Sequence, residues 1–291
     1  SSYQYIFLER DNKLEKIRII VDQALDMPGY IVERYGIGVV NLNVTFGDEP
    51  AENISNKEFY EKMKSSPVLP KTSCPSPDAF LEEYKKGDED IIVITLSKEI
   101  SGTYGSAVLA REIYMSESPG KNITIIDSTN GSIGSALLVI KIAELLGDGK
   151  TLEEVLAYSD KEISEIVHYG TLETIENAVK GGRISKTKGF VVNALNLKPI
   201  VKVEKTVFVV DKGRGTRNSL KKMVELVEND IAKYNKKVTV MGIAHSNDIE
   251  KAELVKSMMI EKYDFDEIVI AEIGPIIGTY TAEGAVLLAA I

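Results

Sequence analysis

Short β-branched apolar runs alternate along the chain with segments whose apolar residues recur every three or four positions. Ile17 to Asp22 (IRIIVD) reads as a buried strand whose C-terminal end opens into a loop. Val39 to Phe46 reads as a second strand, closed by the turn residues Gly47 and Asp48. Asp90 to Leu96 (DIIVITL) is almost wholly apolar, as a central parallel strand covered on both faces must be. Ile123 to Asp127 is the next strand. Helices are expected between them. Ser55 to Lys64 has Ser55 and Glu58 at capping-box spacing, and Ser76 to Lys86 has Pro77 at its first helical position. Further helices are expected over Thr103 to Met115, Gly131 to Leu146 and Leu152 to Val167. This order predicts an α/β layer with a mostly parallel sheet.

The second half has a different rhythm. After Gly181 and Gly182 come a short apolar helix (Gly189 to Leu195), a strand pair around Pro199 to Val210, and a helix from Ser219 to Tyr234. The strand Val238 to His245, the helix Ile249 to Lys262, the strand Glu267 to Ile273 and a Gly/Thr-rich loop follow, closing on Ala285 to Ile291. This reads as α+β. The pattern predicts two domains, residues 17–165 and 166–291.

Composition narrows the field. Lys plus Arg total 35 against 44 Asp plus Glu, a net charge of −9 that suits neither general nucleic-acid binding nor polybasic docking on anionic membranes. The single cysteine, Cys74, forbids an internal disulfide and fits a reducing compartment, so a cytoplasmic location is expected. The longest apolar runs fall well short of the roughly 20 residues that span a bilayer, and Ser1 to Asp11 lacks the apolar stretch of a signal peptide.

Three loops of small polar residues stand at strand ends: KTSCPSP (Lys71 to Pro77), SKEISGTY (Ser97 to Tyr104) and GPIIGTYTAEG (Gly274 to Gly284). Ligands of parallel α/β sheets bind beyond the carboxyl ends of the strands. A loop such as Ser101-Gly102-Thr103, opening into a helix, offers a hydroxyl and free N–H groups to a carboxylate or phosphate. The plainer reading is that such residues cap helices.

The chain resembles the DegV family of bacterial fatty-acid-binding proteins that serve fatty acid kinase. The resemblance rests on IVDQALDMP (20–28), VTFGDE (44–49), LPKTSCPSP (69–77), ISGTYGSA (100–107), GGRIS (181–185), LNLKPI (195–200), RGTR (214–217), IAHS (243–246) and EIGPIIGTYTAEG (272–284). It implies a two-domain α/β architecture, a parallel-sheet domain followed by an α+β domain, with one long-chain fatty acid in a cleft between them. It implies that Thr72 and Ser101 hold the carboxylate, helped by Ser73, the Gly102 N–H and Tyr280, and that Arg183 serves the kinase step. No metal and no cofactor beyond the bound lipid are implied. The partners would be a long-chain fatty acid and a fatty acid kinase; a monomer is expected.

The sequence departs from the family pattern in three places. Relatives often carry Gln where Cys74 stands, which reads most simply as a small buried residue. They carry Ser-Thr after the first strand's acid, where Gln23-Ala24 follow Asp22. They carry GTHTG where Gly278-Thr279-Tyr280-Thr281 stands. A phenol donates a hydrogen bond but cannot become cationic, so weaker pH dependence of binding, or a shifted head-group preference, is expected.

The leading function is therefore a carrier that presents a fatty acid's carboxylate to a kinase making the acyl phosphate for phospholipid synthesis. The sequence has no GxxxxGK[ST], GxSxG or post-strand GxGxxG motif. Two alternatives stand beside it: a serine-dependent acyl hydrolase or transferase using Ser101 or Ser73, and a lipid-responsive regulatory protein. His245, ending a strand, reads as a structural residue, His168 has no partner pattern, and Arg214 and Arg217 read as a solvated face or part of a basic patch.

Overall fold

The computed structural model describes residues 17–51, 54–117, 120–184 and 196–291. The helix expected at 189–195 lies outside them. β1 (Ile17–Asp22) runs through a 3-10 turn (Gln23–Leu25) into α1 (Gly29–Tyr35) and β2 (Gly38–Val40). β3 (Asn43–Phe46), β4 (Glu49–Pro50), α2 (Asn56–Ser65) and β5 (Lys71–Ser73) follow. Next come α3 (Pro77–Tyr84), β6 (Asp90–Thr95), α4 (Thr103–Glu117), β7 (Ile123–Asp127), α5 (Ser132–Gly147) and α6 (Leu152–Ile163). The remainder is β8 (Val167–Thr171), α7 (Glu176–Lys180), β9 (Leu197–Glu204), β10 (Thr206–Arg214), α8 (Thr216–Lys233), β11 (Val240–His245), α9 (Ile249–Ile260), β12 (Glu267–Glu272), α10 (Pro275–Thr281) and β13 (Val286–Ala290).

The expected class holds: a parallel α/β layer comes first and a mixed layer second. The first sheet has the order β2-β1-β6-β7 and is parallel throughout. The second has the order β10-β9-β8-β13-β11-β12, antiparallel except where β11 pairs with β12. A small antiparallel sheet, β4-β3-β5, carries Thr72.

Local chemistry explains the elements. Ser55 and Glu58 form the expected capping box, and Thr151 and Glu154 form a second one on α6. Ser76 caps α3 ahead of Pro77. Three expectations need correction. The run Val39 to Phe46 is two strands in two sheets, because the backbone leaves β1 after Val40 and the Leu42 N–H donates to the Gln23 side chain at 3.2 Å. The helix expected to reach Val167 stops at Ile163, and Val167 to Thr171 (VHYGT) is a strand buried at all five residues. The Gly/Thr-rich loop contains α10, started by Gly274 and Pro275.

α5 explains how the two sheets form one molecule. Every residue from Gly131 to Ile140 is buried. A helix apolar on all sides must be surrounded. One apolar cluster accordingly takes Val21, Ile92 and Ile94 from the parallel sheet, Ile133, Leu137 and Ile140 from α5, and Val201, Val240, Ala244 and Leu287 from the mixed sheet. α5 rests directly on β11 at Gly242, where a Cβ would lie 2.3 Å from Ile133 Cγ1 and 3.0 Å from Leu137 Cδ2.

Gly242→Ala should therefore lower stability by about 1–3 kcal/mol through overpacking, and by clearly less in an Ile133→Ala background. Urea unfolding of the four chains measures this. Equal losses in both backgrounds would mean that α5 does not seat at Gly242.

Candidate functional site

Alternation along β5 turns the Thr72 side chain inward and leaves Lys71 and Ser73 exposed. The Thr72 hydroxyl meets the Tyr280 hydroxyl of α10 at 2.5 Å. These residues stand 208 positions apart and come from different halves of the chain. The Arg183 guanidinium lies over the Tyr280 ring, 5.0 Å from its centroid, and donates to the Gly181 carbonyl at 2.7 Å. Gly181 has no room for a side chain, since a Cβ would come 2.5 Å from Tyr280 Cε1. Thr72, Tyr280 and Arg183 thus form one half-buried cluster.

The second expected loop lies alongside. Gly102 is near enough to Cys74 that a Cβ there would sit 3.4 Å from the sulfur, so the TSCP and SGT segments face each other. The Ser101 hydroxyl is half-buried at the start of α4. It accepts from the Thr103 N–H at 3.3 Å and lies 2.9 Å from the Thr103 hydroxyl, a local turn that leads into α4. Ser97 holds the loop from beneath, its N–H donating to the Asn130 carbonyl at 2.7 Å and its hydroxyl to the Lys205 carbonyl at 2.5 Å. The Ser73 hydroxyl, on the opposite face of β5 from Thr72, accepts from Asn43 at 3.4 Å. Cys74 is exposed, not buried as its size suggested; its nearest polar partner is Ser106, 3.9 Å away.

Sequence reasoning passed over the residues that hold α10. The Asp26 carboxylate accepts the Gly274 N–H at 2.9 Å and the Ser132 hydroxyl at 2.5 Å. The Tyr60 hydroxyl donates to the Ile273 carbonyl at 2.7 Å, and Asn177 donates to the Thr279 carbonyl at 3.2 Å. The one available signal was an acid in the loop after the first parallel strand, where ligand sites gather.

Two buried acids lie under this junction. Burial pushes the Asp22 carboxyl up to about 7, against the pull of backbone N–H donors at Leu96 and Ala24. Burial does the same to Asp26, up to about 7, opposed by Ser132 and the Gly274 N–H and reinforced by the neighbouring Asp22. Burial raises Tyr60 well above its ordinary range, so it stays a donor. Both histidines are engaged elsewhere. His168 is buried, held down to about 3 by desolvation, with Nδ1 2.6 Å from Asn130 Oδ1. His245 Nδ1 accepts the Asp248 N–H at 3.1 Å. Among the described residues no three His, Cys, Asp or Glu side chains gather as a metal site, and no helix is long and apolar enough to cross a membrane.

A parallel sheet and a mixed sheet sharing one apolar layer, with hydroxyls and an arginine meeting where the halves join, define a class of two-sheet α/β protein. The DegV family model, described as "Uncharacterised protein, DegV family", matches residues 16–291. The chain belongs to the DegV family. It is similar to a Thermotoga maritima protein named a fatty acid-binding protein, 30% identical over 286 residues that cover 93% of this chain and 96% of that one. A DegV family protein of Ruminococcus gnavus, solved with vaccenic acid, is 30% identical with a TM-score of 0.88, over 95% of this chain and 100% of that one. The fold is also that of the fatty acid kinase B3 protein of Streptococcus pneumoniae, solved with linoleic acid, at 24% identity and TM-score 0.82, over 94% of this chain and 98% of that one.

The raised carboxyls set a pH dependence. At these two sites the folded chain binds protons that the unfolded chain, with carboxyls near about 4, has lost, so their contribution to stability falls as pH rises from about 4 to about 7. Asp26→Asn removes one contributor and should make that fall shallower in urea unfolding across the interval. An unchanged slope would show that Asp26 titrates as an ordinary carboxylate.

Proposed function

We propose that this chain binds a long-chain fatty acid between two domains, residues 17–165 and 166–291, and presents its carboxylate to a fatty acid kinase. The Thr72–Tyr280–Arg183 cluster carries the reading, because it sets hydroxyl donors and a cation where the two halves meet. In this reading Thr72 and Ser101 donate to the carboxylate, with the Gly102 N–H and Tyr280 beside them. Ser73 stands apart with Asn43. Hydrogen bonds to a charged acceptor contribute roughly 1.5–3 kcal/mol each. The tail supplies the larger gross term, about 12 kcal/mol for some fifteen methylenes at about 0.8 kcal/mol each, most of it offset by ordering costs. The relatives named for fatty acid binding support the ligand class.

Arg183 is the group for the kinase step. It lies over the Tyr280 ring, half-buried, and donates to the Gly181 carbonyl through one of its five N–H groups, a fork suited to an incoming phosphate. Phosphoryl transfer would belong to the partner, and this chain would act as carrier. The hydrolase alternative needs a base at Ser101 or Ser73, and both histidines have other partners.

Thr72→Ala with Ser101→Ala should abolish retention of co-purified fatty acid, read by mass spectrometry of extracted lipid, while far-UV circular dichroism stays unchanged. Full lipid stoichiometry in the double variant would refute this site. Tyr280→His tests the neutral head-group partner. Between about pH 8 and about pH 5 the ratio of its fatty-acid affinity to that of wild type should rise as the imidazole gains charge. A flat ratio would place Tyr280 away from the carboxylate.

A further inference from the structure

We infer that Asp26 is a positioning residue for the head-group site, fixing the start of α10 so that Tyr280 meets Thr72. The inference rests on the fatty-acid reading above and adds a residue whose hydrogen bonds go to Gly274 and Ser132, outside the proposed head-group cluster. Asp26 belongs to the first half of the chain and α10 to the second. Its Oδ1 accepts the N–H of Gly274, the residue that begins α10, while Oδ2 accepts the Ser132 hydroxyl at the start of α5. One carboxylate therefore ties the first turn of α10 to the helix that both sheets share.

The lever from that anchor to the site is short. Tyr280 follows Gly274 by six residues, less than two helical turns. Other supports of α10 act elsewhere: Tyr60 and the His245 carbonyl grip Ile273 before it, while Asn177 grips the Thr279 carbonyl and Ser246 meets the Thr281 hydroxyl near the far end. Asp26 is the side chain that meets the N–H at the helix start, and the space there is close, since a Cβ on Gly274 would lie 3.2 Å from Asp26 Oδ1. Asp26 and Ser132 both hold left-handed backbone, φ 49° and 46°. Non-glycine residues persist in that region where their surroundings fix them. Asp26 is nearly closed to solvent while Gly274 is half-buried, so losing the carboxylate would exchange a fixed protein acceptor for mobile water at the helix start.

Three variants separate positioning from general support. Asp26→Gly deletes the carboxylate while tolerating the left-handed backbone. Asp26→Asn keeps an acceptor for Gly274 and can donate to Ser132. Ser132→Ala cuts only the α5 arm. At about pH 8, where the wild-type carboxyl is ionised, two quantities are measured on the full chain. They are amide hydrogen exchange across α10 and the release rate of the fluorescent fatty acid cis-parinaric acid. Asp26→Gly should speed both about tenfold and Ser132→Ala, which frees the carboxylate from α5, about threefold, while Asp26→Asn stays near wild type. Unchanged α10 exchange in Asp26→Gly overturns the inference. So does an Asp26→Asn as fast as Asp26→Gly, or faster exchange with unaltered release. A wild-type chain that takes up no parinaric acid sinks the fatty-acid reading instead, and the exchange ratios then still decide whether Asp26 holds α10.

Discussion

α5 has no solvent side over its first nine residues, and the architecture follows from that. A helix apolar around its circumference gains stability only when covered all round, at roughly 25 cal/mol per Å² of apolar surface removed from water. The parallel sheet covers one side and the mixed sheet the other. Because the sheets share this helix, they share a core, and the places where their loops converge are held in register by packing.

Such burial also puts polar groups where water does not reach. The start of α5 lies in the interior, and the chain supplies partners for it. Ser132 donates to Asp26, Ser135 pairs with Ser128 at 2.7 Å, and the Asn130 side chain accepts from the Gly131 N–H at 3.0 Å. Gly134 is glycine for the same reason, since a Cβ would come 2.3 Å from Asn130 Oδ1 and 2.6 Å from His168 Nδ1. These bonds carry position outward from the shared helix to the loops with Ser97, Ser101 and Gly274. The Ser101 hydroxyl and the start of α10 thus stand on short connections that are anchored, through Asn130 and Asp26, beside the most deeply buried helix.

The sequence reported best what depends on local pattern. Asp90 to Leu96 and Ile123 to Asp127 were legible as strands because continuous β-branched runs have few other uses, and the Ser55 cap was legible from spacing. It reported poorly what tertiary context overrides. VHYGT lacks apolar continuity and became a strand through pairing with β9 and β13; α10 begins in loop-like residues and is held by Asp26, Tyr60 and Asn177 from distant parts of the chain. The site divides likewise. Thr72, Ser101 and Tyr280 came from ordered motifs, whereas the 2.5 Å contact between Thr72 and Tyr280 spans a separation that no periodicity encodes. Cys74 misled because size suggests burial, while its position beside Gly102 leaves it exposed.

β13, made from the last residues of the sequence, lies in the interior of the mixed sheet, antiparallel to β8 on one side and β11 on the other. During synthesis those two neighbours emerge long before the strand that separates them. A ribosome-bound chain that has completed β12 still presents two unsatisfied edges facing an empty slot, a species open to wrong pairing or chaperone capture. Closure of that slot is a late, non-local event, so the mixed half commits to its final form only after translation has passed Ala290.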